Sequence, residues 1–191
     1  MTGRTHDLAA FTSLAAVVAV VQPAPISLST LLLSILANLI GGVIPDVDQP
    51  TAPFWRNLPI GNIFGKVFAR LAGGHRFITH SIIGVVLFGV AVKALLAFIS
   101  PLLSHTDTGY LWWAFMIGMV SHLCMDSLTK EGIPLLLPIP WHFGLPPLKA
   151  LRIVTGKKLE RLIVFPGLIA LCGWLFVANR ETFLQLLHMI N

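Results

Sequence analysis

The sequence predicts an all-α protein: a polytopic transmembrane helical bundle of about five spans, with two long loops on the cytoplasmic side. Three observations carry that prediction. Of 191 residues, 55% are apolar and only 11% are charged, where an ordinary soluble domain carries about 25% charged residues; mean hydropathy is +0.83. The apolar residues are gathered into runs close to the length of a bilayer span, separated by segments rich in Pro and Gly. The basic residues fall almost entirely on one side of the resulting threading. The length suits one domain over residues 1–191. The net charge of +5 points, in such a chain, to orientation and anionic lipid, and no nucleic-acid partner is expected. Cys124 and Cys172 stand alone inside apolar runs, at no redox or metal spacing, and read as packing residues.

Met1–Asp7 is a short polar start that holds His6. Leu8–Val21 is the first apolar run, broken by Gln22, Pro23 and Pro25; at about 14 residues it is short against the usual span of about 20. No small-residue cleavage site follows it, so it is expected to stay in the protein. Ile26–Ile44 is the second run, where Asn38 and Gly41–Gly42 predict close helix contact. Pro45–Gly74 is a loop, within which Ile60–Leu71 has the pattern of an amphipathic surface helix. Ile82–Phe98 is the third span and Tyr110–Met125 the fourth, with Trp112 and Trp113 as interface anchors. Leu128–Glu160 is a second long, proline-rich loop, Leu162–Ala178 the fifth span, and Arg180–Asn191 a short interfacial tail.

Threading these spans puts Arg4, Arg56, Lys66, Arg70, Arg76, Lys130, Lys149, Arg152, Lys157, Lys158 and Arg161 on one side and leaves only Lys93 and Arg180 near the other. The positive-inside rule makes the first side cytoplasmic. The same threading brings His6, Asp46 and Asp48, His75 and His80, His122 and Asp126, and Glu160 to that side, although they come from five places in the sequence. Chance would scatter acids and histidines over both faces; convergence predicts a site.

His122 and Asp126 are four residues apart and share a helical face, at a spacing that suits one divalent ion; a histidine hydrogen-bonded to an aspartate in a bundle is the other reading of the pair. Asp46 and Asp48 lie in PDVDQP, where flanking prolines predict an extended segment with both carboxylates pointing the same way. Like charges held so close call for a cation, and one of the two can act as general base toward water; a solvated turn is the alternative. His75 and His80, five apart, lie about 140° apart on a helix, so His80 is expected in the first turn of the third span and His75 in the loop before it, with Thr79 as helix cap. Arg76 carries a fixed, forked charge suited to phosphate, or to a lipid headgroup as an anchor. Glu160 reads either as a late ligand or as a helix-start acid. His142 lies in a loop that can fold over the site. Such nitrogen and oxygen donors suit Zn²⁺, Mn²⁺ or Fe²⁺, as one ion or two.

The order His6, then PDVD at 45–48, HRFITHS at 75–81 and HLCMDSLTKEGIPLLLPIPWHFGLP from His122 resembles the YdjM-like family of bacterial inner-membrane metal-dependent hydrolases, some of them LexA-associated. That family is distantly similar to the zinc-dependent phospholipase C and P1 nuclease group. The resemblance implies His6, Asp48, His80, His122 and Asp126 as metal ligands, with Asp46 or Asp48 serving the activated water. The phospholipase group also ends in His-x-x-x-Glu, whereas His142 here is followed four residues on by Pro146, so a third metal is not expected. The expectation is therefore a bacterial inner-membrane hydrolase domain, with a divalent metal, Zn²⁺ first, whose metal-activated water cleaves phosphoesters such as phospholipid headgroups. Arg76 would hold the phosphate, His75 would protonate the leaving group, and Glu160 would add a late ligand. The rival expectation is a metal-binding structural or regulatory membrane protein without turnover. A transporter is disfavoured because the spans hold few polar residues beyond Thr12, Ser34, Asn38 and Lys93.

Overall fold

The structure, a computed structural model, describes residues 1–56, 58–71, 76–139 and 141–188. Its helices are α1 (Gly3–Val21), α2 (Leu28–Val43), α3 (Pro53–Arg56), α4 (Gly61–Leu71), α5 (Ile82–Ile99), α6 (Thr108–Ser127), α7 (Phe165–Ala178) and α8 (Arg180–His188). Short 3₁₀ turns extend α2 through Ile44–Asp48 and precede α5 at Ile78–His80, and a π-helical turn, Glu160–Val164, leads into α7. Among the described residues there is no β-strand, only the isolated bridges Thr129–Ile153 and Ile133–Phe143. Among the described residues, four segments are long and apolar enough to cross a membrane: Gly3–Val21, Leu28–Asp48, Ile82–Leu102 and Glu160–Ala178. The fifth long helix, α6, carries His122 and Asp126 in its last turns.

That difference decides the architecture. α6 sits at the centre, packed by α1, α2 and α5, while α7 packs on α1. Its Leu111, Ala114, Phe115, Gly118, Met119 and Leu123 are buried. By contrast α5 exposes Ile82, Ile83, Val86, Leu87, Val90, Leu95 and Phe98, a surface that suits acyl chains and not water. A helix carrying polar groups in a bilayer is placed inside the bundle, where neighbours can satisfy them.

The α2–α6 crossing is the closest in the bundle. A Cβ on Gly41 would lie 2.1 Å from the Phe115 carbonyl oxygen, and one on Gly118 would lie 2.0 Å from that of Asn38. Only hydrogen fits at either position, and Asn38 Nδ2 donates to Ala114 O at 3.1 Å across the same crossing. Trp112 donates from Nε1 to Gly89 O at 2.8 Å and ties α6 to α5, while Trp113 stays exposed. α4 exposes Ile63, Phe64, Val67 and Leu71 together with Lys66 and Arg70, as the amphipathic pattern predicts.

Two local expectations are corrected. The first helix begins at Gly3 and not Leu8, because the polar start has partners: Glu160 Oε1 accepts from Thr2 N, Thr2 Oγ1 and Thr5 Oγ1, each at 2.7 Å. The cap of α5 is Ser81, whose Oγ accepts from Gly84 N at 3.2 Å; Thr79 is turned the other way, toward Asp48. Glu160→Ala is expected to release the N-terminal turn. Loss of charge-assisted hydrogen bonds of this kind costs about 1.5–3 kcal/mol, read as a fall in the thermal unfolding midpoint of the detergent-solubilised protein.

Candidate metal centre

The start of α1, the end of α2, the turn before α5 and the end of α6 meet on one side of the bundle. Asp46, His80, His122 and Asp126 each present a donor atom there, and these four atoms lie within 4.8 Å of one another. His80 Nε2 is 3.7 Å from Asp46 Oδ1 and 3.5 Å from Asp126 Oδ2. His122 Nε2 is 3.6 Å from Asp46 Oδ1 and 3.7 Å from Asp126 Oδ2. His80, His122 and Asp126 are fully buried; the Asp46 side chain is 26% exposed and forms the open edge of the group.

Hydrogen bonds behind the rings aim the ring nitrogens. His122 Nδ1 donates to Gly42 O at 2.7 Å, which leaves Nε2 as the bare nitrogen facing the centre, with no hydrogen-bond partner in the protein. Thr79 Oγ1 donates to Asp48 Oδ2. Its single proton is thereby committed, so its 2.9 Å contact with His80 Nδ1 has the ring N–H as donor. His80 Nε2 is then turned to the centre, and Asp48 Oδ2, 3.6 Å from His80 Nδ1, stands behind the ring as an orienting carboxylate.

Of the two PDVD aspartates, it is Asp46 and not the expected Asp48 that presents a donor atom to the central group. Asp46 joins the central group, and Asp48 is a supporting residue that also accepts from Arg76 N at 2.8 Å. The physical reason is backbone geometry: Ile44–Asp48 is a 3₁₀ turn, not an extended segment, so carboxylates two residues apart diverge around the axis.

His6 lies beside the group and not in it. Its ring stacks on His122 with centroids 3.7 Å apart, and its Nε2 is 3.2 Å from Asp126 Oδ1. The Met1 amino nitrogen is 2.5 Å from the same oxygen and 3.0 Å from His6 Nε2. Arg76, expected to hold phosphate, is engaged with protein: Nη2 pairs with Asp126 Oδ2 at 2.7 Å, and Nη1 reaches Thr129 Oγ1 at 3.1 Å and Glu131 Oε2 at 3.6 Å. The chain turns into this position through a left-handed backbone at Arg76, φ +58°. Glu160 is not brought to the centre; its second oxygen, Oε2, accepts from Gly156 N at 2.6 Å. His142 lies exposed on the loop after α6, and His75 lies outside the described residues. Sequence reasoning reads Gly42 only as a helix contact and Thr79 only as a cap, and gives Thr129 no role.

Burial disfavours charge on the His80 ring, but the Asp126 and Asp48 carboxylates beside it outweigh burial, so its pKa is raised above the ordinary histidine value. The four central donors fit a divalent cation: two imidazole nitrogens and two carboxylate oxygens converge, one nitrogen is buried and bare, and two negative charges share a small volume.

Comparison with known proteins agrees with this picture of a membrane helical bundle. Residues 1–187 match the family described as YdjM inner membrane protein. The chain is 27% identical over 178 residues to the uncharacterized protein YvsG of Bacillus subtilis, covering 93% of this chain and 96% of that one. It is 35% identical over 133 residues to the inner membrane protein YdjM of Escherichia coli and of Shigella flexneri, covering 63% of this chain and 56% of each relative. The match thus spans little more than half the length of those two proteins. No solved structure matches. The chain belongs to the YdjM inner membrane protein family.

Proposed function

We propose that the protein is a membrane-embedded metal-dependent hydrolase acting on phosphoesters, with the site on the cytoplasmic face. The observation that carries the reading is the convergence of Asp46, His80, His122 and Asp126 donor atoms within 4.8 Å. These four residues would hold Zn²⁺, or Mn²⁺ or Fe²⁺ in its place. A divalent ion there supplies Lewis-acid polarisation and makes water a nucleophile at neutral pH. The chain's own residues supply the rest. Gly42 O and Thr79 fix which ring nitrogens face inward, Asp48 holds His80 in place, and Arg76 orients Asp126. The partly open Asp46 carboxylate takes the proton of the incoming water. The cytoplasmic orientation is supported by the basic residues gathered on the side of the site.

Purified protein assayed for metal content and for turnover of phospholipid and bis-p-nitrophenyl phosphate tests this. Bound metal is expected in the native chain and lost in His122→Ala, with turnover abolished by chelator. A native chain without metal, or turnover that chelator leaves untouched, overturns the reading. The engagement of Arg76 with Asp126 favours a second reading, a metal-binding structural protein. Retained metal without turnover of any phosphoester would decide for it.

The raised His80 pKa sets the pH dependence. In the metal-free protein the charged ring contributes stability that is fully present below the unfolded histidine pKa and is lost as pH rises through the raised folded value. Metal requires the ring neutral, so affinity is expected to fall as pH drops below that raised value, by about tenfold per pH unit for one displaced proton. Metal titrations at a series of pH values check this.

A further inference from the structure

A second polar cavity, of about 500 Å³, lies on the loop that follows α6 and is lined by Lys130, Glu131, His142, Lys149 and Arg152. It is built, not incidental. Lys130 N donates to Ile153 O at 2.9 Å and Ile153 N to Leu128 O at 3.0 Å, while Ile133 and Phe143 exchange two bonds, at 2.9 and 2.8 Å. These bridges bring Lys130 to Arg152 and Glu131 to His142. The Arg152 guanidinium is fixed by neutral acceptors only: Nε donates to Pro146 O at 2.8 Å, and Nη2 donates to Gly144 O at 2.9 Å and Pro147 O at 3.2 Å. Carbonyls orient the group without cancelling its charge.

The charge balance of the cavity is positive. Among the described residues, Lys130, Lys149 and Arg152 have no carboxylate within ion-pair distance, and Glu131, the one acid in the wall, is turned to Arg76. Glu131 meets Arg76, which meets Asp126, so one guanidinium separates this cavity from the central donors. Basic residues spread along a membrane surface need no ligand. Three cations around one concavity, one of them held rigid, make an oxyanion cradle.

We propose that this cavity binds the phosphate group of an anionic ester, with Lys130, Lys149 and Arg152 contacting its oxygens. The proposal goes beyond the phosphoester reading: this phosphate site stands apart from the central donors, with the Arg76 guanidinium between them, and binding does not need the metal.

Calorimetry on the full-length protein in neutral detergent tests it, with chelator present and at an ionic strength that screens exposed charges. The probes are inorganic phosphate and dihexanoyl phosphatidic acid, with dihexanoylglycerol as the phosphate-free control. Saturable binding is expected, weakened by roughly tenfold or more in Lys130→Gln/Lys149→Gln and left unchanged in Lys157→Gln/Lys158→Gln, whose side chains are exposed outside the cavity. Tighter binding of the lipid than of inorganic phosphate makes the source a headgroup; binding of inorganic phosphate alone makes it a soluble ester. Absence of saturable binding to either probe, or equal weakening by both lysine pairs, overturns the proposal. Metal content of the same proteins separates the two ideas: a chain that binds phosphate but holds no metal refutes the hydrolase and leaves the cavity standing.

Discussion

Asp126→Asn is expected to strip the metal from the protein and remove a large part of its stability at once. The carboxylate is the hub of the site: Oδ1 faces His6 and the Met1 amine, and Oδ2 faces Arg76, His80 and His122. Asparagine keeps the shape but leaves the Arg76 guanidinium, 12% exposed, with only the exposed Glu131 carboxylate at 3.6 Å as counter-charge. Breaking one half of a buried pair costs about 3–5 kcal/mol, against total stabilities of about 5–15 kcal/mol. The two losses can be separated. Adding Arg76→Met to Asp126→Asn removes the guanidinium left unpaired but leaves the buried Met1 amine without its carboxylate, so thermal unfolding is expected to recover in part in the double variant while metal affinity does not. A double variant that binds metal like the native chain would show that Asp126 is no ligand.

Gly118→Ala is expected to have the second largest effect, at a distance from the chemistry. The added methyl would lie 2.0 Å from Asn38 O and 2.9 Å from Gly42 N, and backbone cannot rotate away as a side chain can. Forcing an extra carbon into a packed interface typically costs about 1–3 kcal/mol. The damage is specific, because α2 carries Asp46 just past its end and α6 carries His122 and Asp126. Parting the helices also lengthens the 2.7 Å bond from His122 Nδ1 to Gly42 O that aims the ring. Metal affinity is therefore expected to fall along with the unfolding midpoint. Gly173→Ala in α7 is the control: nothing lies within 4 Å of its added carbon, and alanine in a helix is favoured by about 1 kcal/mol over glycine.

The spans are legible in the sequence because bilayer thickness imposes a length and a composition that few other structures share. The gathering of His6, Asp46, Asp48, His80, His122 and Asp126 on one side is legible for a related reason: alternate crossing fixes which helix ends are neighbours. What the sequence does not show is direction within a turn. Whether Asp46 or Asp48 faces the centre depends on PDVD being 3₁₀ or extended, and prolines on both flanks tolerate either. Glu160 has the right side but the wrong partners, since hydroxyls of Thr2 and Thr5 reach it first. The Arg76–Asp126 pair is hidden by a separation of 50 positions in the chain. Arg76 therefore looks, by residue type alone, like a phosphate ligand.

The four central donors have a consequence for biogenesis. Asp46 and His80 leave the ribosome well before His122 and Asp126, and all four meet only when the helix ending at Ser127 has entered the membrane between partners already there. A nascent chain arrested before that helix inserts holds two donors and no cage. On the proposed metal-binding reading, ion capture would thus be a late event in synthesis, and a retained ion would report that the central helix has packed among its partners.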